Sequence, residues 1–155
     1  MLDPSEAEAA MAVVTRSFDT CVGPDYAEEG RAMFARVVTA EYLRSLPYRR
    51  GFTLVARVDH AIVGMCAFRD VHHVTLFFVL PAYQGRGIGR RLFAAALAHL
   101  RAHVPQLARL EVHSSPIAIP VYKALGFRAT GGMKEDNGIR YLPMEMPLDW
   151  KPAPG

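Results

Sequence analysis

Apolar residues divide the chain into a helical first third and a strand-rich remainder. Ala7, Met11, Val14 and Phe18 recur at helical spacing. Before them, Asp3-Pro4-Ser5-Glu6 combines a capping acid, a proline suited to the first helical position and a glutamate at the third. A first helix is therefore predicted from Asp3 to about Cys21, ended by Gly23-Pro24. A second is predicted from about Glu29 to Arg44, with Met33, Phe34, Val37 and Ala40 inward and Pro47 as its stop. From Phe52 the period shortens to two or less. Residues 52–58 and 62–68 read as strands joined at Asp59-His60, and a third strand, 73–79, follows the turn at Asp70-Val71-His72. These three form an antiparallel meander.

A glycine-rich connection then leads from the third strand into a helix expected over about 87–103 and closed by Pro105. The next strand, 107–113, lies beyond that helix, so the natural arrangement is a right-handed β-α-β crossover with parallel strands. Ser114-Ser115-Pro116 starts a further helix that runs to Leu125 and stops at Gly126. Residues 127–130 and 139–148 read as a final hairpin around Glu135-Asp136-Asn137-Gly138. The expected fold class is α/β of the α+β kind, a mixed central sheet flanked by helices. Residues 1–150 make one domain, and 151–155 are expected to fray.

Composition adds mainly exclusions. At 155 residues, with 51% hydrophobic and 21% charged, the chain suits one soluble globular domain. The net charge of +3 comes from 18 basic and 15 acidic residues interspersed without a Lys/Arg run, which gives no reason to expect nucleic acid as a partner. Cys21 and Cys66 have no metal or redox spacing and read as buried thiols in a reducing compartment. No signal sequence and no apolar run near 18 residues is found, so a cytoplasmic location without membrane association is expected. No metal is expected, because strand alternation points His72 and His73 to opposite faces without a suitably spaced acidic partner. His60, His99 and His103 read as turn or helix-surface residues. Seven methionines and apolar edge strands would allow a homodimer.

Chemistry concentrates at Gln84-Gly85-Arg86-Gly87-Ile88-Gly89-Arg90-Arg91. Three glycines in five residues leave backbone amides unobstructed where a helix begins, and the first turn of a helix carries unpaired N–H groups at its positive end. With Arg86, Arg90 and Arg91 beside it, the turn suits a phosphate-bearing ligand. A P-loop is excluded, since no lysine lies between Met1 and Lys123. A dinucleotide fingerprint would need glycine where Arg90 stands, and would close the first unit of a parallel sheet rather than follow a meander.

The run Gln84 to Gly89 resembles the Gln/Arg-x-x-Gly-x-Gly/Ala signature of the GNAT superfamily of acyl-CoA N-acyltransferases. Ser115 to Phe127, with Ala118, Tyr122, Gly126 and Phe127, is similar to that superfamily's later Asn-x-x-Ala-x-x-x-Tyr-x-x-x-Gly-Phe segment. The two segments lie about 30 residues apart, and the likeness covers roughly 52–148 plus two N-terminal helices. It departs in two places. The family's first strand is missing or reduced to the two residues before Asp3, or else the start lies further upstream; and Ser115 stands for the asparagine.

The resemblance implies acetyl-CoA as co-substrate and N-acetyl transfer to a primary amine of a small molecule or peptide, by direct attack in a ternary complex. It places the pyrophosphate on the amides of Gly85, Arg86, Gly87, Ile88, Gly89 and Arg90, next to Gln84. Pantetheine and the thioester carbonyl then meet the backbone of Phe77, Phe78 and Val79, with Ser115 on the pantetheine side. Tyr122 takes the position that donates a proton to the sulfur; its alternative is a packed helix residue. Counting back from Gln84, His73 falls where the histone-acetylating branch carries its base, and alternation puts it on one face with Thr75, Phe77 and Val79. His113, Glu111 and a water relay remain rivals. The acceptor is expected between the first two helices and the last hairpin, near Asp25, Tyr26, Glu28 and Glu29, whose carboxylates suit a cationic amine or simply a solvated helix start. A non-catalytic acyl-CoA binding or sensor module of the same fold is the alternative function.

Overall fold

A computed structural model describes residues 1–150; the frayed tail expected at 151–155 lies outside the described residues. Seven strands form the sheet: β1 (Phe52–Val58), β2 (Ala61–Asp70), β3 (His73–Val79), β4 (Arg109–Ser114), β5 (Arg128–Ala129), β6 (Lys134–Asp136) and β7 (Ile139–Pro147). Their order is β1-β2-β3-β4-β7-β5, with β6 paired to β7 beside it. β1, β2 and β3 are the antiparallel meander, β3 and β4 are parallel, and β4 and β7 are antiparallel. The helices are α1 (Ala7–Ser17), α2 (Glu28–Val37), α3 (Ala40–Ser45), α4 (Ile88–His103) and α5 (Ile119–Leu125).

Helices cover both faces. On one, Phe93, Ala96 and Leu100 of α4 and Tyr122 of α5 pack on Cys66, Phe68, Val112 and Met144. On the other, Ala10, Val13 and Val14 of α1 and Leu43 of α3 pack on Met65, Ala67 and Leu76. A strand covered on both sides must be apolar at every position, and β2 accordingly is buried continuously from Val63 to Phe68. Its turn to β1 places Asp59 and His60 in the left-handed region, as a tight two-residue hairpin demands. At the β1 edge, where the resemblance leads one to expect a first strand, Leu2 N–H donates to the Thr53 carbonyl at 2.8 Å.

Two expectations are corrected in the first third. The Asp3 cap is present, with Oδ1 accepting from Ser5 N–H at 2.9 Å. It opens a short 3-10 turn, however, and the chain after α1 continues as one wider π turn over Phe18–Val22. The second predicted helix is two. Val38 and Thr39 are extended, and the Thr39 hydroxyl accepts from Tyr42 N–H at 3.1 Å to start α3 afresh. β-Branched residues disfavour continuation, and threonine competes for backbone donors as an N-cap. The break also turns Val37 outward, to 51% exposure.

Candidate active site

The parallel pairing of β3 with β4 is short, covering only His73↔Glu111 and Val74↔Val112. Beyond Val74 the strands part, and the edge of β3 facing β4 has no ladder partner. An open cleft of about 980 Å³ passes through this gap. It is lined by Thr75–Val79 on one side and by His113, Ser115 and α5 on the other; the glycine turn, the π turn, Tyr26 and Phe34 complete the lining, and the two turns meet where Gln84 Nε2 lies 3.7 Å from Cys21 Sγ.

The glycine turn is built as its sequence implies. Gly85 and Gly87 have φ of +79° and +78°, and nothing lies within 4 Å of where a Cβ would stand at either. Gly87 caps α4, so the amides of Ile88, Gly89 and Arg90 in its first turn have no intrahelical acceptor. The turn is thus an open backbone cradle at the positive end of a 16-residue helix. Gln84 donates from Nε2 to the Val79 carbonyl at 3.0 Å and anchors the loop to the strand end. Arg90 lines the cleft, whereas Arg86 stands over the Tyr83 ring at 5.2 Å, off the cleft wall.

On the strand side, Phe77, Phe78 and Val79 line the cleft, and so do Ile88, Ser115 and Tyr122. The Val79 carbonyl is already engaged, accepting from Gln84 and from the Ser17 hydroxyl at 3.4 Å. Tyr122 is 7% exposed, and its ring meets Phe77 and Phe127 edge-on at 6.2 and 5.4 Å. Burial, and after it the neighbouring Cys66 thiol, raises its phenol pKa with no hydrogen bond contributing, so it stays protonated. Burial likewise pushes the Cys66 thiol up to about 12.

The expected placement of His73 is corrected. Leu76 pairs with Ala67 and Val74 with Phe68, which leaves Thr75 as an extra residue in β3. This bulge reverses the alternation. Val74 and Phe77 pack on the α4 side, while Thr75 faces α3, its hydroxyl 3.0 Å from that of Tyr42. His73 therefore does not share a face with Phe77 and Val79. It is 6% exposed, lies off the cleft wall, and approaches Arg69 Nη2 at 3.4 Å. Burial first, then the Arg69 charge, lowers its pKa to about 3. The histidine that reaches the cleft is His113, which has His73 edge-on at 4.9 Å and stacks on Tyr141 at 4.5 Å. Its pKa is lowered by burial and then by Arg69, so it is neutral at pH 7.

Of the expected acceptor residues, Tyr26 alone lines the cleft. Asp25, Glu28 and Glu29 are exposed outside it. The reason is a close contact: a Cβ on Gly30 would overlap the Gly138 carbonyl, so the first turn of α2 sits on the β6–β7 turn and its acids face solvent. Phe18 and Phe34 are cleft residues that their helical spacing made indistinguishable from core. His72, expected to lack acidic partners, lies 3.7 Å from both Asp70 and Glu111. No group of three or more such side chains is arranged to hold a metal ion among the described residues, and no helix there is long and apolar enough to cross a membrane.

Comparison with known proteins follows the same architecture. The family model described as an acetyltransferase (GNAT) domain matches residues 22–148. The N-alpha-acetyltransferase RimI of Mycobacterium tuberculosis is 34% identical over 101 residues, 64% of this chain and 61% of that protein, so the chain is matched to less than two thirds of that relative's length. A GCN5-related N-acetyltransferase from Rhodopseudomonas palustris superposes with a TM-score of 0.78 at 24% identity, over 95% of this chain and 92% of its own. The PaiA N-acetyltransferase from Thermoplasma acidophilum, solved in complex with coenzyme A, gives 0.77 at 18% identity over 95% and 96%. Both structural likenesses establish the fold.

Proposed function

The chain belongs to the GNAT family of acetyltransferases, and from that premise we propose that it moves an acetyl group from acetyl-CoA to a primary amine of a small molecule or peptide, by direct attack in a ternary complex. One observation carries the proposal: a single cleft joins the glycine cradle, the unpaired edge of β3, the buried phenol of Tyr122 and the imidazole of His113. The residues fit coenzyme A, because the open space over Gly85 and Gly87 is what a pyrophosphate needs to reach backbone amides. A RimI relative, named for acetylating an α-amino group, supports an amine acceptor.

Acetyl-CoA supplies an activated thioester carbonyl. The amides from Gly85 to Arg90 hold the pyrophosphate, and Arg90 adds charge. Backbone groups of Phe77 and Phe78 align the pantetheine arm, with Ser115 opposite. His113 takes the proton that the amine must lose. His73, walled in beneath it, positions that ring by its edge-on contact. Tyr122 keeps its proton at Oη until the departing sulfur needs it. The base thus moves from His73 to His113, since a base must reach the proton it abstracts.

The test is release of free thiol from acetyl-CoA with a panel of amines, with the acetylated product identified by mass. Transfer to at least one amine is expected. His113→Gln should lower turnover by about a hundredfold, within the range of general-base effects, and should lack the acid limb, below the ordinary histidine range, that the wild type is expected to have. Saturable coenzyme A binding with no amine-dependent turnover would favour the non-catalytic module.

A further inference from the structure

The part of the cleft lined by the π turn, Tyr26 and α2 has a chemical bias of its own. Phe18, Tyr26 and Phe34 form a continuous aromatic wall there. Phe18 and Phe34 lie parallel, with centroids 3.9 Å apart, and Tyr26 meets Phe18 edge-on at 5.2 Å. The wall is held in place. Arg31 of α2 donates from Nη1 to the carbonyls of Gly23 and Tyr26 at 3.2 and 2.8 Å, fixing the loop that carries Tyr26, and Phe18 is 4% exposed. Thr75, Phe78 and His113 line the same cleft.

Charge is as informative as shape. Among the described residues, Arg90 at the glycine turn is the one permanently charged side chain lining the cleft, and no aspartate or glutamate lines it. A second ammonium group on the acceptor would lose water there without gaining a carboxylate. Cation–π contact compensates weakly, because Phe18 and Phe34 cover each other's facing sides. An aromatic or branched apolar group beside the reacting amine would instead exchange water for ring contacts.

We infer that the acceptor is a primary amine whose amino group is its only positive charge and which carries an aromatic or bulky apolar group beside it, seated on Phe18, Tyr26 and Phe34. The inference rests on the transferase reading. Two sources share this chemistry, a free aromatic amine and a peptide whose first residue is aromatic.

The experiment compares kcat/KM for 2-phenylethylamine, a short peptide amide beginning with Phe, glycinamide and spermidine. One or both aromatic acceptors should exceed spermidine and glycinamide by more than tenfold, and which of the two leads identifies the source. Phe34→Leu should lower the aromatic-to-glycinamide ratio at least threefold, and Tyr26→Glu should shift the ratio of spermidine to 2-phenylethylamine at least tenfold towards spermidine. Spermidine or glycinamide equal to the aromatic acceptors, or ratios unmoved in both variants while their melting temperatures stay near wild type, would overturn the inference. If no amine turns over, the transferase reading fails separately. Binding of the same compounds to the coenzyme A-saturated protein then decides the pocket: tenfold tighter binding of an aromatic acceptor than of spermidine supports it, and the absence of that margin overturns it.

Discussion

Gly87 is the position where a single substitution tests the anion cradle most cleanly. Its φ of +78° is reached by L-residues at a cost of about 1–2 kcal/mol, so any side chain there destabilises the start of α4. That cost is common to Gly87→Gln and Gly87→Glu, which differ in charge and hardly in size. Nothing lies within 4 Å of the added Cβ, so neither side chain is forced away from the cradle. At a separation of about 4 Å, two unit charges repel by ~1 kcal/mol in bulk water and ~4 kcal/mol at the effective dielectric of a protein surface. The glutamate variant should therefore bind coenzyme A at least tenfold more weakly than the glutamine variant, about 1.4 kcal/mol. Isothermal titration at low salt measures the ratio. Repeating it at 1 M salt, where the screening length falls to about 3 Å, should narrow the gap. Equal affinities for the two variants at low salt would refute an anion at this turn.

Three other substitutions address other parts of the account. Tyr122→Phe should reduce turnover at least tenfold while coenzyme A affinity changes less than about threefold, as separate kinetic and binding measurements will tell. His73→Asn tests its buried neutral state. With a folded pKa of about 3 against an ordinary 6.5, the unfolded chain binds the extra proton, so this stability is complete above pH 6.5 and is lost as pH falls towards 3. Urea denaturation at pH 7, 6 and 5 should show the wild type losing up to about 1.4 kcal/mol per unit more than the variant; parallel profiles would contradict that state. Gly30→Ala, which helix propensity would favour by about 1 kcal/mol, should instead cost about 1–3 kcal/mol through overlap with the Gly138 carbonyl. An unchanged urea midpoint would mean α2 does not rest on that turn.

Periodicity and turn chemistry made most of the fold legible: β3 is observed over the predicted residues, α4 begins one residue later, and Gly126 stops α5 with a φ of +111°. What escaped involves competition that one strand or helix does not reveal. The Thr75 bulge depends on how β3 and β2 align, and no residue of β3 announces it, yet it decides which face His73 takes. The break at Val38-Thr39 was hidden because apolar spacing continues across it, although three β-branched residues in succession, Val37, Val38 and Thr39, mark the spot. The acids Glu28 and Glu29 were read for charge, but the small size of Gly30 and Gly138 sets the orientation of their helix. Aromatic residues at the end of a helical stripe, such as Phe18, look like core until a neighbouring loop leaves one of their edges on a cleft.

The most direct test of the central claim is a crystal structure of the protein with coenzyme A. The pyrophosphate is expected within hydrogen-bonding distance of the amides between Gly85 and Arg90, the pantetheine along the open edge of β3, and the thiol within reach of the Tyr122 hydroxyl with His113 on the acceptor side. Coenzyme A bound elsewhere, or a thiol remote from both Tyr122 and His113, would contradict that claim.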